Sequence, residues 1–126
     1  RRVLFRSALK NKDILIYGDG RQTRTFCYIE DHLDATTNAF YKNLMINDVA
    51  NIGTDNEMSI LDLARAIIKV TNSGSRIVHV PALKEGDMTR RRPDITKMRE
   101  LLQRDYTSLE EGIRAILASH HFVPTS

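Results

Sequence analysis

The sequence predicts an α/β fold, a small mixed α/β domain built from few strands. Three observations carry this. Short apolar runs, Ile14 to Tyr17 and Ile77 to Val80, are stopped by Gly18 and Pro81 and read as strands. Apolar residues recur at helical spacing over Ile60 to Ile68 and over Leu109 to Leu117. Serines precede both stripes with an acid three residues on, Ser59 with Asp62 and Ser108 with Glu111, the signature of a capping box. The strands are too few for a doubly wound sheet, so the chain reads as a satellite of a larger one.

Taken in order, the polar Lys10-Asn11-Lys12-Asp13 leads into the strand Ile14 to Tyr17, which Gly18 ends. Thr25 to Ile29 is β-branched and aromatic, and is expected to be a second strand. Asp31 then has the chemistry of a helix N-cap, with Asp34 favouring the dipole. Leu33, Thr37, Phe40 and Leu44 fall on one face of the helix that follows. Val49 to Ile52 is a third strand candidate, and a turn through Gly53 to Asn56 leads to Ser59. Ile60, Leu63, Ala64, Ile67 and Ile68 form the most regular stripe in the chain. After the strand Ile77 to Val80, a polar loop from Leu83 to Pro93 carries Asp87 and three consecutive arginines. Asp94 is expected to cap a helix with Ile95, Met98 and Leu102 inward. Ser108 opens a last helix that faces the core with Leu109, Ile113, Ile116 and Leu117.

Composition bounds the function. The 126 residues suffice for one modest core, with 41% hydrophobic and 28% charged residues. No apolar run approaches a membrane span, and charge breaks the N-terminal segment where a secretory signal would be apolar. One cysteine, Cys27, excludes an internal disulfide, and a cytoplasmic location is expected. A net charge of +3 suits a diphosphate as well as a polynucleotide, but four Phe, four Tyr and no Trp make a thin platform for stacking bases.

Two basic stretches carry the candidate chemistry. Gly18-Asp19-Gly20 matches no dinucleotide or P-loop fingerprint, and reads as a tight turn between two strands. Arg24 follows it at the start of a strand, where a guanidinium fork could grip a phosphate or simply face solvent. Arg90-Arg91-Arg92 is either a solvated charge run or, set by Pro93 ahead of the Asp94 cap, a ligand clamp. His120-His121 points in two directions on a helix and supports no metal site. Asp31-His32 has no serine arranged for a triad, and Cys27 inside a strand reads as a small core residue. These residues suggest anion binding, with no catalytic pair and no metal.

Four segments, ILIYGDGRQTRTFCYIEDHLDA, VANIG, MSILDLARAI and RRRPDITKMRELL, together resemble one family in the same order. They are similar to the C-terminal half of extended short-chain dehydrogenase/reductases acting on nucleotide sugars. The nearest groups are UDP-glucuronate decarboxylases, dTDP-glucose 4,6-dehydratases and NAD-dependent sugar epimerases; RRRPDI leans towards the first and YIEDH towards the second. The resemblance implies an N-terminal Rossmann domain that binds NAD and a smaller C-terminal domain that binds a UDP- or dTDP-sugar. It places the strand Leu15 to Tyr17 near the base, Arg24 and Arg91 on the diphosphate, and Asp87 on the ribose. It also implies a homodimer for the whole enzyme, built through Rossmann helices, with no nucleic acid or membrane as partner.

The sequence departs from the family after the ELL helix, where Gln103-Arg104-Asp105-Tyr106 replaces the usual Gly-Trp and proline. No Gly-rich NAD fingerprint is present. No Tyr-x-x-x-Lys pair exists either, since Tyr17, Tyr28, Tyr41 and Tyr106 are followed four positions on by Arg21, His32, Met45 and Glu110. The chain is therefore expected to be a truncated, catalytically silent piece whose NAD site lies in an absent domain. Arg2 to Ser7 back-translates to DNA resembling a sequencing adapter, and residues 1–7 are expected to be a non-native leader. Residues 8–119 would then be the nucleotide-sugar-binding domain and 120–126 a tail. The rival expectations are a stand-alone anion- or RNA-binding module and a non-functional fragment.

Overall fold

The computed structural model describes residues 2–82 and 92–119. In chain order, the elements are α1 (Arg2–Leu9), β1 (Ile14–Tyr17), β2 (Thr23–Thr25), α2 (Ile29–Tyr41) and β3 (Glu57–Ser59). Then follow α3 (Ile60–Thr71), β4 (Ile77–Val80), α4 (Thr96–Leu102) and α5 (Leu109–Ala118). The strands make two separate two-stranded sheets. β1 and β4 run parallel, Ile14 opposite Ile77 and Tyr17 opposite Val80. β2 and β3 run antiparallel, Arg24 opposite Met58.

Two apolar clusters hold these elements. In the first, Leu4 and Ala8 of α1, Ile14 and Ile16 of β1, Leu63, Ala64 and Ile67 of α3, and Ile113 of α5 are buried together. Burial of Ile14 and Ile16, which are at most 1% exposed, stabilises by about 1.5–3 kcal/mol each. The second cluster packs Ala35 of α2 against Ile95, Met98, Leu101 and Leu102 around α4. Ala35 is the residue that lets α2 lie close on α4, since its small side chain leaves room for Met98 and Leu101, both wholly buried.

The predicted helix starts at Ser59 and Ser108 are present. The Ser59 hydroxyl accepts from the Asp62 amide at 3.0 Å. Ser108 and Glu111 complete both halves of a capping box at 3.3 and 2.9 Å. Asp94 acts one position earlier than expected. Its carboxylate accepts the Thr96 amide at 2.9 Å while Ile95 occupies the cap.

The Gly18–Gly20 turn is present as well, with φ of +69° and +74° at the two glycines. The strands that it joins belong to different sheets, however, so it is no hairpin. Gly20 is needed for closeness as well as for φ. A Cβ there would lie 3.0 Å from Ile16 Cγ2 and 3.2 Å from Leu61 Cβ. The carbonyls of Gly20 and Gln22 accept the Leu61 and Ile60 amides, so the turn is stapled to the first residues of α3.

Four expectations fail between residues 25 and 52. The second strand is Thr23–Thr25, and Ile29 opens a helix instead of ending a strand. Glu30 and Asp31 lie in that helix's first turn, where acids favour the dipole and outweigh the β-propensity of Ile29. Asp31 is consequently no cap: Tyr28 holds that position, and Asp31 is fully buried inside the helix. The stripe through Leu33 and Phe40 faces outward, at 53% and 75% exposure, while Ala35 and Asp31 face the core. Val49 to Ile52 forms no strand, because no strand among the described residues runs beside it.

Candidate anion-binding site

Arg24 sits in the middle of β2 and is buried, at 7% exposure. Its strand neighbours Thr23 and Thr25 are half-exposed, as the alternation of a strand requires. One guanidinium nitrogen, Nη1, donates to the Thr23 carbonyl at 2.7 Å. Burying a guanidinium is costly unless its donors meet acceptors, so a fork in this place favours anionic or carbonyl oxygens.

Leu15 and Tyr17 lie on one face of β1, opposite the buried Ile14 and Ile16, and are about half exposed. They present an aliphatic and an aromatic surface, the chemistry that accommodates a flat ring. Gln22 ties this strand to the segment entering β2, donating from Nε2 to the Tyr17 carbonyl at 3.3 Å. Arg24 therefore follows Leu15 and Tyr17 across a short, fixed connection.

Asp87 and Arg91, the two other expected contacts, lie outside the described residues, as do His120 and His121. The described end of the arginine-rich segment is Arg92, and there the structure adds residues that sequence reasoning did not single out. Arg92 Nη2 and Arg99 Nη2 both donate to Asp55 Oδ2, at 3.2 and 3.4 Å. A cavity of about 300 Å³ opens beside them, lined by Asp55, Arg92, Pro93, Asp94, Thr96 and Arg99. Two hydrogen bonds from Thr96 hold the Asp94 carboxyl below the usual carboxylate range, so this acid stays ionised while capping. Asp55 and Arg99 carried little signal in the sequence. One lay in a stretch that reads as a plain turn, and the other on the polar side of a short helix.

Asp55 also borders a neighbouring cavity of about 340 Å³, shared with Phe26, Met58, Tyr106 and Leu109. The buried Tyr106 hydroxyl has no hydrogen-bond partner among the described residues. Burial pushes its ionisation upward, so it stays a neutral phenol. Cys27 packs against the second cluster, and burial, with Asp31 nearby, pushes its thiol up as well. Asp31 itself is engaged by Thr107 and Arg104 and cannot orient His32. The guanidiniums have the chemistry to meet anions, and among the described residues the arrangement offers no activated nucleophile.

Comparison with known proteins places these residues in context. The model of the NAD dependent epimerase/dehydratase family matches residues 2–53. A UDP-N-acetyl-alpha-D-glucosaminuronate decarboxylase from Bacillus cytotoxicus is 39% identical over 115 residues, covering 86% of this chain and 36% of that protein. Among solved structures, a UDP-glucuronic acid 4-epimerase from Bacillus cereus, in complex with UDP-glucuronic acid and NAD, superimposes with a TM-score of 0.75 at 34% identity. That match covers 90% of this chain and 36% of the epimerase. A UDP-glucose 4-epimerase from Thermotoga maritima, with UDP-glucose, gives a TM-score of 0.76 at 29% identity, covering 89% and 36% of the two chains. The chain thus spans about a third of the length of the proteins that it resembles.

Proposed function

We propose a role for this chain that starts from its membership of the NAD dependent epimerase/dehydratase family: it is the part of such an enzyme that holds the nucleotide-sugar substrate. The observation that carries this reading is the likeness, over about nine-tenths of the chain, to two epimerases solved with UDP-sugars. The substrate class is a UDP- or dTDP-sugar, and the whole enzyme epimerises, dehydrates or decarboxylates it.

In this reading Arg24 is the fork on the diphosphate, and the outward face of β1, Leu15 and Tyr17, lies against the base. Arg91 and Asp87 are proposed for the second phosphate contact and the ribose on the strength of the sequence resemblance. A guanidinium shares two donors with one phosphate, and a carboxylate accepts from a sugar hydroxyl, so each residue suits its part.

NAD, which the family implies, finds no cradle among the described residues. A dinucleotide's phosphates rest on a glycine turn that opens a helix, whereas the Gly18–Gly20 turn leads into β2. The contribution proposed for the described residues is to bind and orient the nucleotide sugar.

The test is a titration of the chain with UDP, followed by NMR chemical shifts. Saturable binding is expected, and Arg24→Ala is expected to weaken it about tenfold, the equivalent of one charge-assisted contact. Arg24→Lys keeps the charge but loses the fork, and should fall between. An unsaturable titration, or an Arg24→Ala curve superimposed on the parent's, overturns the reading. Tighter, steeply salt-dependent binding to polynucleotide than to UDP would replace it with a nucleic-acid role.

A further inference from the structure

Asp55 lies between the two arginine-bearing parts of the molecule. Towards the chain's end it receives both Arg92 and Arg99 on a single oxygen, Oδ2. In the other direction it stands two residues before β3, whose Met58 is the register partner of Arg24. The same short segment makes further contacts with the arginine-rich stretch. Asn51 Nδ2 donates to the Asp94 carbonyl at 3.2 Å, and Gly53 comes so close that a Cβ there would lie 3.8 Å from Pro93 Cγ. Residues 51–55 thus form a splint along residues 92–94, and the splint runs directly into the strand that fixes Arg24.

We propose that Asp55 is a positioning residue for diphosphate binding: by clasping Arg92 and Arg99 it sets the end of the arginine-rich segment in register with Arg24. The inference rests on the nucleotide-sugar reading above. Its physical basis is that Asp55 is half-buried, with 29% of its side chain exposed, so its two ion pairs are less screened than pairs in open water. A hydrogen-bonded carboxylate shared between an arginine on a loop and one on a helix fixes both ends of the connection. Held this way, Arg92 and Arg99 meet a diphosphate on Arg24 with little ordering left to do at the moment of binding.

An opposite role is physically available, and it separates the outcomes. A carboxylate beside two guanidiniums also competes with an anionic ligand for them. If competition governs, Asp55→Asn frees two cations and UDP binds more tightly. If positioning governs, the same change loosens the segment and UDP binds more weakly.

The experiment compares the parent chain, Asp55→Asn, Asp55→Glu, Arg99→Gln and Arg24→Ala, each titrated with UDP and with uridine and followed by NMR. Asp55→Asn is expected to raise the Kd for UDP about fivefold while leaving that for uridine unchanged, because only the diphosphate feels the clasp. Asp55→Glu restores most of the loss, and Arg99→Gln, which removes one of the two pairs, raises the Kd about twofold. Faster amide exchange at Thr96 in Asp55→Asn reports the loosened segment independently of any ligand. Unchanged or tighter UDP binding by Asp55→Asn, with Arg24→Ala still weakened, overturns the positioning role and leaves the nucleotide-sugar reading standing. Equal losses for UDP and uridine also overturn it, since a general structural defect lowers both. Should Asp55→Asn fold poorly, the Arg99→Gln comparison decides by the same criteria. An Arg24→Ala chain that binds UDP like the parent overturns the underlying reading, and this inference with it.

Discussion

The Arg104 guanidinium lies 2.8 Å from an Asp31 carboxylate that has no solvent exposure. The Thr107 amide and hydroxyl donate to the two oxygens of the same carboxylate at 2.9 and 2.7 Å. Arg104 also reaches Asp34, one helical turn along, with Nη2 at 2.6 Å. Three groups from the α4–α5 connection are thereby gathered onto α2, which carries Ala35 of the second apolar cluster.

Arg104→Ala strips a countercharge from a carboxylate that water does not reach, and is expected to destabilise the fold. Thr107→Ala removes one charge-assisted hydroxyl bond and should cost less. Urea unfolding curves of the two variants check the order. A larger loss for Thr107→Ala would contradict it.

Acid should weaken the fold. Among the described residues, Asp48 stands below its usual range through the Lys97 ammonium, Asp94 through Thr96, Glu110 through Lys69 and Glu111 through Ser108. Each has a lower pKa folded than unfolded. Each therefore contributes in full above its unfolded value, and its contribution is lost as pH falls through the folded one. The urea midpoint is expected to hold steady on this account above about pH 5 and to decline below about pH 4.5. Glu111→Gln should flatten part of that decline, and an unchanged slope would rule Glu111 out as a contributor.

Gly20→Ala is expected to cost about 2–3 kcal/mol, because it adds a Cβ 3.0 Å from Ile16 at a φ of +74°. Gly18→Ala shares the left-handed φ but, among the described residues, meets only Ala82 Cβ at 3.6 Å, so about 1 kcal/mol is expected there. Thermal melts of the two variants, read as a difference, isolate the close approach from the backbone strain.

Leu33→Gln and Phe40→Gln should each shift stability by no more than about 0.5 kcal/mol, since both side chains stand in solvent. Ala35→Gln, on the other face of the same helix, forces a polar chain into the second cluster and should be severely destabilising. Equal effects at Leu33 and Ala35 would mean that α2 is rotated from the orientation described.

Cys27 should react slowly with a disulfide reagent at neutral pH. Burial, and next the Asp31 charge, keep its thiol protonated, and the thiolate is the reactive form. Its rate is expected to lie well below that of a free thiol and to rise on adding urea. A fast reaction in the native chain would place the sulfur in open solvent.

The elements that were legible in the sequence are those whose determinants are local. Ser59 and Ser108 reach amides three residues on, and the stripe on α3 is read within twelve residues. Arg24 was legible as a candidate too, because its neighbours place it on a strand. The failures share a longer range. Asp31 has the chemistry of a cap, but its partner Thr107 stands 76 positions away and draws it inside. The α2 stripe is regular, yet periodicity cannot say which of two faces meets α4; small Ala35 outcompetes larger Leu33 because the second cluster leaves little room. Val49 to Ile52 has strand-forming residues and, among the described residues, no ladder to join. Asp55 was missed because its two arginine partners come from different elements.

The parallel pairing of β1 with β4 has a consequence for the order in which the molecule can assemble. The Asp13–Arg76 ion pair at the mouth of these strands closes a span of 63 positions. During synthesis at roughly 5–20 residues per second, β1 leaves the ribosome seconds before its partner. Ile14 and Ile16, at most 1% exposed in the finished chain, therefore stay uncovered by β4 for that interval in the growing one. The helix α1 beside them is a local structure that forms within about a microsecond. Docked on β1 through Leu4 and Ala8, it can shield those isoleucines until α3 and β4 arrive.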